Sequence, residues 1–205
     1  MGISEDQLRH SMDALAVLEP RIAARLAVVG HPEPRISERG AVSLMRTIVG
    51  QQVSVASARA IWTRFEAAVG DPADPAAVLR TSDEALRAAG LSRQKISYLK
   101  SLAEEIGSGR LDLARLAEAD EAAIDALVRV RGIGRWSAEI YLLFAEGRPD
   151  VFPAGDLAVQ IELGRILALP EKPGERRLRE LAEPLRPHRG ALAIFCWHSY
   201  NTPVL

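Results

Sequence analysis

The sequence predicts an all-α protein, and three observations carry that prediction. Apolar residues recur at three- and four-residue spacing along most of the chain. Serine, proline and glycine punctuate those stretches where helices begin and end. No segment alternates apolar and polar residues long enough for a useful strand, and there is neither an internal repeat nor a low-complexity tail. With 205 residues, 48% of them hydrophobic, the chain can build a sizeable core in one domain or in two small lobes.

The elements follow in order. Ser4-Glu5-Asp6-Gln7 is a capping-box pattern ahead of Leu8, Met12, Leu15 and Leu18 at helical spacing. Pro20 opens a second helix that ends near Gly30. His31-Pro32-Glu33-Pro34 is a stiff linker, since each proline removes a donor and fixes φ. Helices are expected over about 41–50 and 53–69, the latter broken by Gly70-Asp71-Pro72. Thr81-Ser82-Asp83-Glu84 is a second capping box, and Gly90 ends its short helix. Ser92 starts a long helix through Ile106, with Ile96, Leu99, Leu102 and Ile106 on one face. The pairs Ala76-Ala77 and Ala122-Ala123 read as helix formers. Short helices are expected over about 112–117 and 120–129, and further ones over about 134–146, 156–167, 174–184 and 187–199.

Composition excludes several classes. A single cysteine, Cys196, rules out a disulfide framework and any four-cysteine zinc or iron–sulfur site within the chain. The four histidines, His10, His31, His188 and His198, lack metal-ligand spacing. No apolar run reaches the roughly 18 residues of a membrane span. The segment Met1 to Gln7 is polar and acidic, unlike a secretion signal, so a cytoplasmic protein with no membrane partner is expected. The net charge of −1 does not advertise nucleic-acid binding, but its distribution is polarised. Arg93, Lys95 and Lys100 form one basic stretch and Arg129, Arg131 and Arg135 another, against a mostly acidic 103–126. Such polarity permits local DNA binding on a neutral protein, and it equally describes solvated helix faces.

The most informative string is Leu127-Val128-Arg129-Val130-Arg131-Gly132-Ile133-Gly134-Arg135-Trp136-Ser137-Ala138. It reads as a glycine hairpin opening a helix. Gly132 and Gly134 permit backbone conformations closed to other residues and clear the approach to backbone N–H groups that a phosphate can use. The helix dipole points the same way, Arg131 and Arg135 add charge, and the small Ser137 and Ala138 allow close helix packing. Twenty residues after Trp136, the turn Val151-Phe152-Pro153-Ala154-Gly155-Asp156 sets one carboxylate ahead of Leu157. Asp156 fits both a helix N-cap and a placed catalytic carboxylate, and the two readings are compatible.

These segments carry a family resemblance. The string Val130 to Ala138 closely resembles the helix–hairpin–helix of the DNA glycosylase superfamily named for that hairpin, its Gly/Pro loop and its aspartate. Asp150 to Leu157 resembles the loop and the aspartate. Within the superfamily the chain is similar to the alkylpurine branch, 3-methyladenine DNA glycosylase II. Gly50-Gln51-Gln52-Val53-Ser54-Val55 and Gly90-Leu91-Ser92-Arg93-Gln94-Lys95 resemble that branch as well. The likeness covers about residues 35–200. It implies one two-lobed helical glycosylase unit over 1–205. One lobe runs from about 41–130, with the hairpin at about 120–146, and the N-terminal segment and about 147–205 form the other. The N-terminal β-rich domain of some members is not expected, so the base pocket should be more open.

The resemblance implies roles. Asp156 would stabilise positive charge on the deoxyribose and orient or deprotonate a water. Trp136 stands where strand-nicking relatives carry a lysine, so the enzyme should be monofunctional and leave an abasic site. Trp136, Trp197 and Ile140 would line the base pocket, with Trp136 offering a face to a cationic purine. A core tryptophan bracing the hairpin is the plain alternative for Trp136, and the apolar surroundings of Trp197 suit a core residue equally well. Gln52 would plug the gap left by the flipped nucleotide. The alternative is that Gln51 and Gln52 satisfy backbone groups at a helix junction. Arg131, Gly132, Ile133, Gly134 and Arg135 would hold DNA. The carbonyls of Val128, Val130 and Ile133 would hold a monovalent cation, Na+ or K+, with no other cofactor and no iron–sulfur cluster. The expected partner is damaged double-stranded DNA, bound by a monomer. The expected reaction is hydrolytic release of 3-methyladenine- and 7-methylguanine-type purines flipped into a cleft between the lobes. Its rivals are a glycosylase for a neutral deaminated base and a non-catalytic DNA-binding module.

Overall fold

The structure, a computed structural model, describes residues 2–202. In chain order its α-helices are α1 (Glu5–Leu18), α2 (Pro20–Val29), α3 (Ala41–Gly50), α4 (Val55–Val69), α5 (Pro75–Arg80), α6 (Asp83–Ala88), α7 (Arg93–Gly107), α8 (Asp120–Val128), α9 (Arg135–Tyr141), α10 (Leu157–Ile166), α11 (Glu175–Ala182) and α12 (Arg189–Asn201). A π-helical turn, Leu142–Glu146, follows α9, and a 3-10 turn, Glu183–Leu185, follows α11. No strand occurs among the described residues, so the all-α expectation holds.

The chain divides into two compact units, Glu38–Tyr141 and a unit assembled from Met1–Ser37 with Leu142–Leu205. In the Glu38–Tyr141 unit, α7 is the central helix. Its Ile96, Leu99 and Leu102 are buried, and it packs against α3, α5 and α6. Short polar side chains start the helices by accepting orphan backbone N–H groups: Ser54 for α4, Asp74 for α5, Ser82 for α6 and Ser92 for α7. The second capping box does not form as expected: Ser82, not Thr81, is the N-cap and accepts the Ala85 N–H, and alanine at N3 has no side chain to reciprocate, while the Thr81 hydroxyl donates back to the Ala77 carbonyl at 2.9 Å.

The other unit is organised around α12, which is buried along nearly its whole length and packs against α10, α1 and α2. The Ser4 capping box forms as expected, and Leu8, Met12 and Leu15 of α1 are buried. Glu162 of α10 is fully buried, yet its Oε1 lies 3.4 Å from Arg25 of α2 and its Oε2 3.0 Å from Arg165. Ser199 of α12 donates its hydroxyl to Glu162 and accepts from Arg25 Nε. This polar knot joins three helices and satisfies a charge that would otherwise be costly to bury.

Several expected boundaries change. Residues 112–117 form no helix. The Asp112 side chain accepts the Ala114 N–H at 2.9 Å, and its carbonyl accepts the Arg115 N–H at 3.2 Å, so a local turn wins over helix. The helix expected over 134–146 ends at Tyr141 and widens into the π turn. The one expected over 174–184 ends at Ala182, where Pro184 imposes a 3-10 turn. The last helix begins at Arg189, and α5, opened by Pro75, is an additional helix.

Candidate functional site

In the Glu38–Tyr141 unit, α8 and α9 flank the glycine hairpin. Gly132 has φ of +88°, and a Cβ there would lie 2.1 Å from the Tyr98 ring, so no other residue fits. Gly134 is different. Its φ is not in the left-handed region, and a Cβ would meet nothing within 4 Å. Of the two freedoms glycine permits here, Gly132 uses the backbone one, whereas Gly134 uses only the other, its bare Cα leaving open space at the exposed start of α9.

Within the hairpin, the Ile133 N–H donates to the Val130 carbonyl at 3.1 Å, and both side chains are buried. The Arg131 N–H donates to the Ser101 hydroxyl at 3.1 Å, while its exposed guanidinium reaches Ser97 at 3.0 Å. The N–H groups of Gly132 and Gly134 make no hydrogen bond among the described residues. Arg135 is engaged internally: Glu121 of α8 lies 2.6 Å away and Glu139, one turn on, 3.0 Å away. The hydrogen bond to Glu121 outweighs partial burial and, with the charge of Glu139, raises the guanidinium above its usual range. Arg135 thus braces α8 to α9, and its charge is matched by carboxylates. Val128, at the end of α8, is 38% exposed.

Trp136 and Ile140 stand four residues apart on α9. The indole is 46% exposed and Ile140 is half-buried, so the core reading of Trp136 fails. Between α3 and α4 the two glutamines divide. The Gln51 amide donates to the Gly132 carbonyl at 2.9 Å, satisfying a backbone group as the alternative reading had it. Gln52 is exposed with φ of +55°, an uncommon conformation for a residue with a Cβ. A recess of about 400 Å³ borders this turn and is lined by Gln51, Gln52, Lys95, Tyr98 and Gly132. Burial pushes the Lys95 ammonium below its ordinary pKa, and Nζ donates to the Val49 carbonyl at 2.7 Å. The sequence did not single out the Tyr98 wall, and it marked Lys95 only as part of a basic stretch and a family-like segment, because nothing local marks which side chain a hairpin rests on.

The carboxylate belongs to the other unit. Val151, Phe152 and Ala154 are buried, and the Asp156 N–H closes a turn on the Pro153 carbonyl at 2.9 Å. The loop is pinned along its length. Arg189 grips Asp150 with two bonds of 2.9 Å, Arg179 donates to the Phe152 carbonyl at 3.2 Å, and the Gln160 amide donates to the Ala154 carbonyl at 2.8 Å. Asp156 is half-buried and caps α10, its Oδ1 accepting the Val159 N–H at 3.0 Å. The indole Nε1 of Trp197, on α12, donates to the same oxygen at 3.0 Å. Trp197 is only 8% exposed, and the Phe144 ring lies 5.6 Å from it at 40°. Beneath them Cys196 is fully buried, and burial, reinforced by the charges of Glu162 and Asp156, drives its thiol far above its usual pKa. Among the described residues no cluster of three or more histidine, cysteine, aspartate or glutamate side chains could hold a metal ion.

Comparison with known proteins supplies the context. Residues 45–187 match the family model described as HhH-GPD superfamily base excision DNA repair protein. The chain is 34% identical over 170 residues to DNA-3-methyladenine glycosylase 1 of Schizosaccharomyces pombe, covering 78% of this chain and 75% of that one. A crystal structure of a DNA-3-methyladenine glycosidase from Bacillus halodurans superimposes with a TM-score of 0.86 at 31% identity, covering 94% and 89% of the two chains. A 3-methyladenine DNA glycosylase of Schizosaccharomyces pombe, solved in complex with abasic DNA, gives a TM-score of 0.76 at 29% identity, covering 93% and 95%.

Proposed function

The chain belongs to the HhH-GPD superfamily of base excision DNA repair proteins, and on that premise we propose that it is a monofunctional glycosylase removing N-alkylated purines, of the 3-methyladenine and 7-methylguanine type, from duplex DNA. The single observation that carries the reading is the Asp156 carboxylate, half-buried on a pinned loop with two donors on one oxygen. The names of the yeast and bacterial relatives support the lesion class.

Excision breaks the bond from C1′ to the purine nitrogen, and the bonding pair leaves with the base. Positive charge develops on the deoxyribose, where an anion beneath the ring stabilises it. Water then attacks C1′, its proton passes to Asp156, and an abasic site remains. A cationic alkylpurine departs as a neutral base with no proton added, so the reaction needs no general acid. Trp136 cannot form a Schiff base with the sugar, which supports base release without strand cleavage. Its exposed indole offers a face to a flipped cationic purine.

DNA is held, in this reading, by the Gly132 and Gly134 N–H groups with Arg131, while Gln52 fills the space the nucleotide vacates. The neutral carbonyls of Val128, Val130 and Ile133 would hold Na+ or K+, which when bound would supply positive charge attractive to the DNA backbone. The Val130 carbonyl spends one lone pair on the Ile133 N–H and keeps a second for such an ion.

The test uses duplex DNA treated with a methylating agent. Wild-type protein should release free methylpurine and leave alkali-labile sites. Asp156→Asn keeps a good N-cap residue, so it should fold and bind DNA but lose release by about a hundredfold or more. Release at the wild-type rate would remove Asp156 from the mechanism.

A further inference from the structure

We infer that Trp197 is a positioning residue, which fixes the orientation of the Asp156 carboxylate through its indole N–H and does not stack on the flipped base. The inference rests on the proposed role of Asp156 and deepens it. An N-cap aspartate is ordinarily held by backbone N–H groups of its own helix, and rotation about its terminal torsion is soft. Here a second donor arrives from a different helix. Val159 N–H and Trp197 Nε1–H both lie 3.0 Å from Oδ1. One oxygen accepting from two directions leaves the carboxylate plane little freedom.

The donor is itself held. Phe144, placed by the π turn, lies 5.6 Å from the Trp197 ring. The Asn201 amide donates to the Trp197 carbonyl at 2.7 Å. At 8% exposure the ring has almost no face to offer a ligand, whereas Trp136 is 46% exposed. The two tryptophans thus divide the work, one giving a face and the other an N–H. The choice of donor also matters. An indole N–H is neutral, so it orients the carboxylate without cancelling the negative charge that a cationic sugar requires. An arginine or lysine in the same place would do both.

The experiment replaces Trp197 with phenylalanine and, in a second variant, with benzothienylalanine, which keeps the bicyclic shape but puts sulfur where the N–H was. Single-turnover excision is followed on a duplex carrying one 7-methylguanine, and Kd is measured on a duplex carrying an abasic-site analogue. Both variants should excise about 10- to 100-fold more slowly, the loss expected for a bond to a charged acceptor, with Kd within about twofold of wild type. A benzothienylalanine variant excising at the wild-type rate, or a Kd that weakens in step with the rate, overturns the inference. In the free protein the Trp197 indole proton resonance should move upfield in Asp156→Ala, and an unmoved resonance also overturns it. If wild-type protein releases no methylpurine, the glycosylase reading has failed and takes the inference with it. An active wild type with an unimpaired isostere sinks the inference alone.

Discussion

Gly132 and Gly134 lie two residues apart and answer to different demands. Gly132 is fixed by the protein itself, through a φ of +88° and the Tyr98 ring against its Cα. Gly132→Ala should therefore cost at least about 2 kcal/mol in a denaturant titration, from backbone strain and overpacking together. Gly134 meets neither demand. Gly134→Ala should leave stability within about 0.5 kcal/mol of wild type and weaken binding to duplex DNA in a fluorescence anisotropy titration. Equal affinity would mean that nothing approaches that surface. The sequence made the hairpin legible because glycine spacing, the flanking apolar residues and the small pair Ser137-Ala138 are all local signals. It gave no sign that Arg135 also pairs with Glu121, because Glu121 lies 14 residues earlier on α8 and only folding brings them together. The glutamine pair was readable as unusual, but not as divided, since backbone angles decided which side chain turned inward.

Helix starts were the most legible elements, because a capping side chain lies next to the backbone groups it satisfies. Helix ends and irregular turns were less so. The run Leu142-Leu143-Phe144-Ala145 continues the apolar pattern of α9, and nothing in that pattern distinguishes an α-turn from the π-turn that sets Phe144 beside Trp197. The contact between α12 and the carboxylate loop is also non-local. Gly190 donates its N–H to the Pro149 carbonyl at 2.8 Å, and a Cβ there would stand 2.6 Å from that oxygen and 2.7 Å from Leu143. Gly190→Ala should push α12 off the loop, at a cost of about 1–3 kcal/mol. Thermal unfolding should show the loss, and a melting temperature equal to wild type would contradict the packing described for this junction.

At the scale of the molecule, the unit bearing Asp156 is stitched from both ends of the chain, with α1 and α2 packed on α12. No linear reading of motifs exposes that assembly, although each buried face was visible in its own helix. Its interior holds the single cysteine of the sequence, beside the Glu162 knot and the tryptophan that meets Asp156. Burial disfavours the thiolate, so native protein at pH 8 should give no colour with a thiol-specific disulfide reagent, and one equivalent should appear on denaturation. Reaction in the native state would mean that this interior opens readily. The same chemistry bears on survival. Electrophiles that methylate DNA also attack thiolates, so an alkylpurine glycosylase meets its own poison wherever it meets its substrate. Held protonated and out of reach, Cys196 offers such agents no thiolate to attack while the native fold persists.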